Sequence, residues 1–169
     1  LHPITLLSAS LDELQSYSTY AYVENSTFIE NTFKFNNNVY YSETYGFSIY
    51  ESHGSFVGFI NNSTFINNYG SIGKMNSINS SIFIGNQLAA INVLDVNNSY
   101  FENNSNIIME GTSYHGDGLV NAETVINSTF ISNRAAYGGA LYNPKVVHYS
   151  VFVNNTAAYE GNDIFSYSG

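Results

Sequence analysis

The chain has no cysteine in its 169 residues, which removes both a disulfide frame and any thiolate metal site. Fixed positive charge is almost as scarce. Lys34, Lys74, Arg134 and Lys145 face thirteen acids, for a formal net charge of −9. Phosphate recognition needs clustered Lys and Arg, so this balance argues against nucleic acid as a partner. It argues equally against polyanionic glycans such as pectate or heparin. No run approaches the roughly 18 apolar residues of a membrane-crossing helix, so no membrane span is expected in this chain. Clustered carboxylates are missing too: the acids are scattered, and only Asp12-Glu13 are adjacent. No cofactor is expected. The first residue is Leu1 and no basic leader precedes it, so the sequence reads as a mature product or a piece of a longer chain.

What the chain does have is a repeat. Ser26-Thr27-Phe28-Ile29-Glu30-Asn31 returns as Ser63–Asn68, Ser81–Asn86, Ser99–Asn104, Ser128–Asn133 and Ser150–Asn155, always in the frame Ser-x-Phe-x-x-Asn. Its central rings are Phe28, Phe65, Phe83, Phe101, Phe130 and Phe152, at intervals of 37, 18, 18, 29 and 22 residues. A degenerate copy at Tyr45–Tyr50 sits near the middle of the long first interval, so the spacing reads as about seven rungs, one of them poorly matched. Rungs near twenty residues are too short for two-helix repeats. β-Branched and aromatic residues alternating with period two point instead to short strands, and hence to an all-β, right-handed parallel β-helix. Residues 1–22 form its expected N-terminal cap, with Ser8 or Ser10 capping a short amphipathic turn, and 23–169 the solenoid.

Stacking at about 4.8 Å per rung puts equivalent residues in register, and seven rungs make a rod on the order of 30–35 Å long. The six rings then form an internal column in which each buries roughly 150–250 Å². Asn31, Asn68, Asn86, Asn104, Asn133 and Asn155, at a fixed offset of three from each ring, form an expected ladder, because an amide both donates and accepts. Second strands are expected where small residues open apolar runs, at Gly70–Met75, Ala89–Leu94, Gly118–Ala122, Gly138–Asn143 and Gly161–Phe165.

The run Asn127-Ser128-Thr129-Phe130-Ile131-Ser132-Asn133, followed by Ala135-Ala136-Tyr137-Gly138-Gly139-Ala140-Leu141-Tyr142-Asn143, resembles the Phe-x-x-Asn and Gly-Gly-Ala-Ile/Leu repeats of polymorphic outer-membrane-type proteins. It is similar also to the repeats of adhesin-like surface proteins of methanogenic archaea. The resemblance runs from about Val23 to Tyr167 and implies an extracellular or cell-surface structural or adhesive module. Its partners would be copies of itself stacked end to end into filaments, or a host-cell or matrix glycan or protein.

Acceptor sequons begin at Asn25, Asn61, Asn62, Asn79, Asn97, Asn103, Asn127 and Asn154, expected glycosylation positions if the chain is extracellular. Fifteen tyrosines would give rows of rings suited to neutral glycan or protein contacts. The alternative function is a polysaccharide lyase or hydrolase, which needs carboxylates converging across a cleft. Tyr114-His115-Gly116-Asp117-Gly118 is the segment that would carry such chemistry, although turns account for its glycines and acid. Catalytic and metal residues are accordingly assigned to none.

Overall fold

The structure, a computed structural model, describes residues 21–30, 47–49, 58–72, 75–88, 91–106 and 119–167. Most of the expected cap, ladder residue Asn31, His53 and the segment Tyr114–Gly118 lie outside the described residues. Those that are described contain strands and turns and no helix, hence no helix long and apolar enough to cross a membrane.

The chain winds in coils of three short strands. Coil 1 has β1 (Ala21–Glu24), β2 (Thr27–Ile29) and β3 (Phe47–Ile49); coil 2 has β4 (Gly58–Asn61), β5 (Thr64–Ile66) and β6 (Tyr69–Ile72). Coil 3 has β7 (Met75–Asn79), β8 (Ile82–Ile84) and β9 (Gln87–Leu88); coil 4 has β10 (Ile91–Asn97), β11 (Tyr100–Glu102) and β12 (Ser105–Asn106). Coil 5 has β13 (Val120–Ile126), β14 (Thr129–Ile131) and β15 (Arg134–Tyr137). In coil 6 the first strand is split into β16 (Leu141–Tyr142) and β17 (Val146–His148), followed by β18 (Val151–Val153) and β19 (Thr156–Glu160). β20 (Ile164–Phe165) then begins a seventh level.

Equivalent strands pair in parallel into three sheets running the length of the rod. The first sheet holds β1, β4, β7, β10, β13, β16 and β20, with β17 also on β13; the second holds the ring-bearing strands; the third holds β3, β6, β9, β12, β15 and β19. Seven levels are therefore present in the first sheet and six in the others. The long first interval is one coil, not two. β2 pairs directly with β5, Phe28 opposite Phe65, and Phe47 lies opposite Gly70 in the third sheet. The described part of the degenerate copy, Phe47–Ile49, is thus the third strand of coil 1 and not a rung of its own.

The three-residue strands end because a single residue with positive φ turns the chain. At the corner between first and second sheets it is Asn25, Asn62, Ser80, Asn98, Asn127 or Tyr149; between second and third it is Glu30, Asn67, Gly85, Asn103, Ser132 or Asn154. Asn and Gly tolerate this region best, which explains their frequency just before each ladder position. The corner that leads from coil 5 into coil 6 needs two glycines: a β-carbon on Gly138 would strike the Leu141 carbonyl, and one on Gly139 the Asn162 carbonyl and Thr156 backbone.

Inside, like meets like. Ile60, Ile78, Val96 and Val125 form one fully buried column of the first sheet, and Ile91, Val120 and Leu141 another. Neighbouring phenylalanine rings lie 4.7–5.2 Å apart, centroid to centroid, with planes within 8° of parallel. That separation is the strand pitch, at the close end of offset stacking. Phe65, Phe83, Phe101 and Phe130 are fully buried, while the end rings Phe28 and Phe152 are partly so.

Candidate binding surfaces and the ladders beneath them

The expected Asn ladder is present from Asn68 to Asn155, and every group on its central amides is used. Asn104 Nδ2 donates to Phe83 O at 2.9 Å on the coil below and to Asn133 Oδ1 at 3.0 Å on the coil above. Its own Oδ1 accepts from Asn86 N at 3.0 Å and Asn86 Nδ2 at 2.9 Å. Two donors and two lone pairs are thereby filled, the full capacity of an amide. Asn86 and Asn133 repeat the pattern within 0.1 Å, all of them buried.

At the last level there is no further Asn. Asn155 Nδ2 donates instead to Asp163 Oδ1 at 2.9 Å. The Asp163 carbonyl accepts from the N–H of buried Ala140 on the coil below at 3.0 Å, which sets its carboxylate where it receives the ladder's last donor. The sequence reading missed this role, since Asp163 lies outside the repeat frame and only the coil geometry brings it over Asn155.

The other inner corner is lined by Ser26, Ser63, Ser81, Ser99, Ser128 and Ser150. Each of the first five backbone N–H groups donates to the next serine's Oγ at 3.1–3.2 Å. Each Oγ donates to the carbonyl two residues earlier at 2.8–3.0 Å.

The sequons divide into two groups. Asn25, Asn62, Asn103, Asn127 and Asn154 are exposed and occupy positive-φ corner positions. Asn61, Asn79 and Asn97 are half-buried strand ends forming an outer amide row, in which Asn79 Nδ2 bonds Asn61 Oδ1 at 2.9 Å and Asn97 Nδ2 bonds Asn79 Oδ1 at 3.1 Å. A glycan on Asn79 would replace a hydrogen that bonds either Asn61 or Ser77, so native-state accessibility favours the corner group.

Three outer surfaces stand out. The second sheet presents β-branched side chains on nearly every level, among them Thr27, Ile29, Ile82, Val151 and Val153. Its single acid, Glu102, accepts the Tyr100 hydroxyl at 2.9 Å; that bond, then burial and the carboxylate's charge, raise the phenol's pKa above the ordinary 10.0. The C-terminal end carries a cluster of rings: Tyr137, Tyr142, Tyr159, Phe165 and Tyr167 touch in sequence at 5.0–5.6 Å between centroids. Beside it, on the outer face of the first sheet, lies a groove of about 280 Å³.

Among the described residues no three His, Asp or Glu side chains converge. His148 ends β17 on the surface, its ring 5.9 Å from that of Tyr149. Arg134 opens β15 and is exposed. No protein-family model, curated protein or solved structure matches the chain.

Proposed function

We propose that the chain is an extracellular or cell-surface β-solenoid acting as a structural and adhesive module. The observation that carries this reading is the division of labour between inside and outside. The rod is held by saturated ladders and stacked rings within, which leaves its long faces free to carry rows of amide, hydroxyl, β-branched and aromatic side chains. Such surfaces suit many small, parallel contacts with a glycan or a matrix protein. The likeness of the repeat to adhesin-like surface proteins supports the same reading.

Probing the purified chain against a panel of glycans and matrix proteins tests it. Saturable binding without product supports the adhesive module, whereas release of cleaved glycan would overturn it in favour of the polysaccharide-active enzyme. End-to-end association is the second proposed partnership, because sheets of parallel strands in register can be continued by the equivalent strands of another copy. Fibres in electron micrographs at micromolar protein support it, and monomers alone remove it.

A further inference from the structure

We infer that the groove on the outer face of the first sheet is a binding site for a neutral saccharide, an inference that rests on the adhesive reading and gives it a place and a ligand class. The groove exists because the sheet is interrupted. Tyr142 lies opposite Asn121 and Val146 opposite Thr124, so three residues of coil 6 span what two span in coil 5. The extra residue is accommodated by Asn143 at a φ of 50° and by Pro144, which has no N–H to give the ladder. Lys145 then rejoins the sheet through its N–H to Glu123 O at 2.9 Å.

The lining combines three kinds of group. Side-chain amides come from three successive coils, Asn92, Asn121 and Asn143, with Asn121 Nδ2 bonded to Asn92 Oδ1 at 2.8 Å. One aromatic side chain, Tyr142, lines the groove; outside the lining its ring packs on Phe165 at 5.4 Å between centroids and its hydroxyl donates to that of the exposed Tyr167 at 2.6 Å. Among the described residues of the lining, charge enters only as the pair Lys145 Nζ–Glu123 Oε1, 2.8 Å apart.

This is the complement of a sugar ring. Vicinal hydroxyls each donate and accept, as an amide does, and the C–H face of a pyranose packs on an aromatic ring. One Lys and one Glu cancel, so nothing in the groove attracts a uronate or a sulfate, and the chain's net charge of −9 repels them. The volume is at the small end of ligand clefts and admits one or two rings of a longer chain, for which affinity on the order of millimolar is expected. A protein partner would need roughly 800 Å² of contact, far beyond the groove itself.

Amide-resolved NMR titration of the whole chain with cello-, chito- and manno-oligosaccharides tests the inference, with oligogalacturonate as the acidic comparison. At least one neutral oligomer should move the side-chain amides of Asn92, Asn121 and Asn143. Asn143→Gly, which keeps the positive-φ turn, and Tyr142→Leu should each weaken that binding about tenfold, while Tyr22→Ala, on coil 1 and outside the lining, leaves it unchanged. The inference is overturned if no neutral oligomer binds, if the two groove variants bind like the parent, or if oligogalacturonate binds as tightly. Neutral glycan binding that maps to another face would overturn the groove and leave the adhesive reading standing; cleavage of the oligomers would overturn the adhesive reading itself.

Discussion

The two inner corners meet the same demand with different side chains. Each follows a positive-φ residue, each places a polar group inside, and each must join its coil to the next. At the serine corner the hydroxyl receives one bond from the neighbouring coil and returns its proton to its own strand, as Ser99 does with Ser81 N and Asn97 O. At the asparagine corner one side chain makes four bonds, all to other coils. The amide is therefore an inter-coil fastener, whereas the serine chiefly fixes the shape of its turn. The difference is one of bond count, and it sets an order of consequences.

Asn104→Ala should cost the most. It strands the buried Asn86 N–H and one Asn86 Nδ2 hydrogen and removes a donor from Phe83 O and Asn133 Oδ1, for about 3–5 kcal/mol at roughly 1–3 kcal/mol per stranded group. Ser99→Ala leaves one buried N–H, that of Ser81, without its acceptor, and should cost about 1–2 kcal/mol. Denaturant midpoints for the two variants compare the corners directly; equal losses would break the distinction. Asp163→Ala should cost about 1 kcal/mol or less, since Asn155 Nδ2 keeps its bond to Phe130 O and lies near an end. Hydrogen exchange should quicken in β18 and β19 while coils 3 and 4 stay protected, and Asp163→Asn should restore protection because it keeps an acceptor.

Smaller effects sharpen the comparison. Ser132→Gly, at a corner φ of 53°, relieves a conformation that Ser adopts poorly and should stabilise by a few tenths of a kcal/mol, read as a raised melting temperature. Tyr100, on the sheet joining the two corners, gives the least. Its phenol pKa is raised in the folded chain by the bond to Glu102, so its contribution is whole below the usual value near 10.0. Above that pH the unfolded chain loses its proton first, and the contribution declines as pH climbs through the folded pKa. Tyr100→Phe should therefore show a slightly shallower loss of stability on going from about pH 9 to 11.

How far the sequence could be read follows from the same distinction. Ser63, Phe65 and Asn68 are inward and stacked on their equivalents, so each coil needs the same residue and the frame is visible as a repeat. The third sheet has no such requirement: its strands begin with Tyr69, Gln87, Ser105, Arg134 and Thr156, and only the fixed distance after the ladder Asn announces them. Outward positions are freer still, so the groove had no signal beyond Pro144 interrupting an apolar run. Phe47 misled because an aromatic in an alternating stretch looks alike in any of the three sheets.

One feature of the amide rows bears on how long such a rod can become. In the buried row the amide-to-amide bonds run toward the C-terminal end, Asn86 to Asn104 to Asn133, whereas in the surface row they run back, Asn97 to Asn79 to Asn61. The amide-to-amide bonds inside and outside therefore run in opposite senses. Coils built this way can be multiplied by duplication, because each added copy meets the same two opposed rows and extends both.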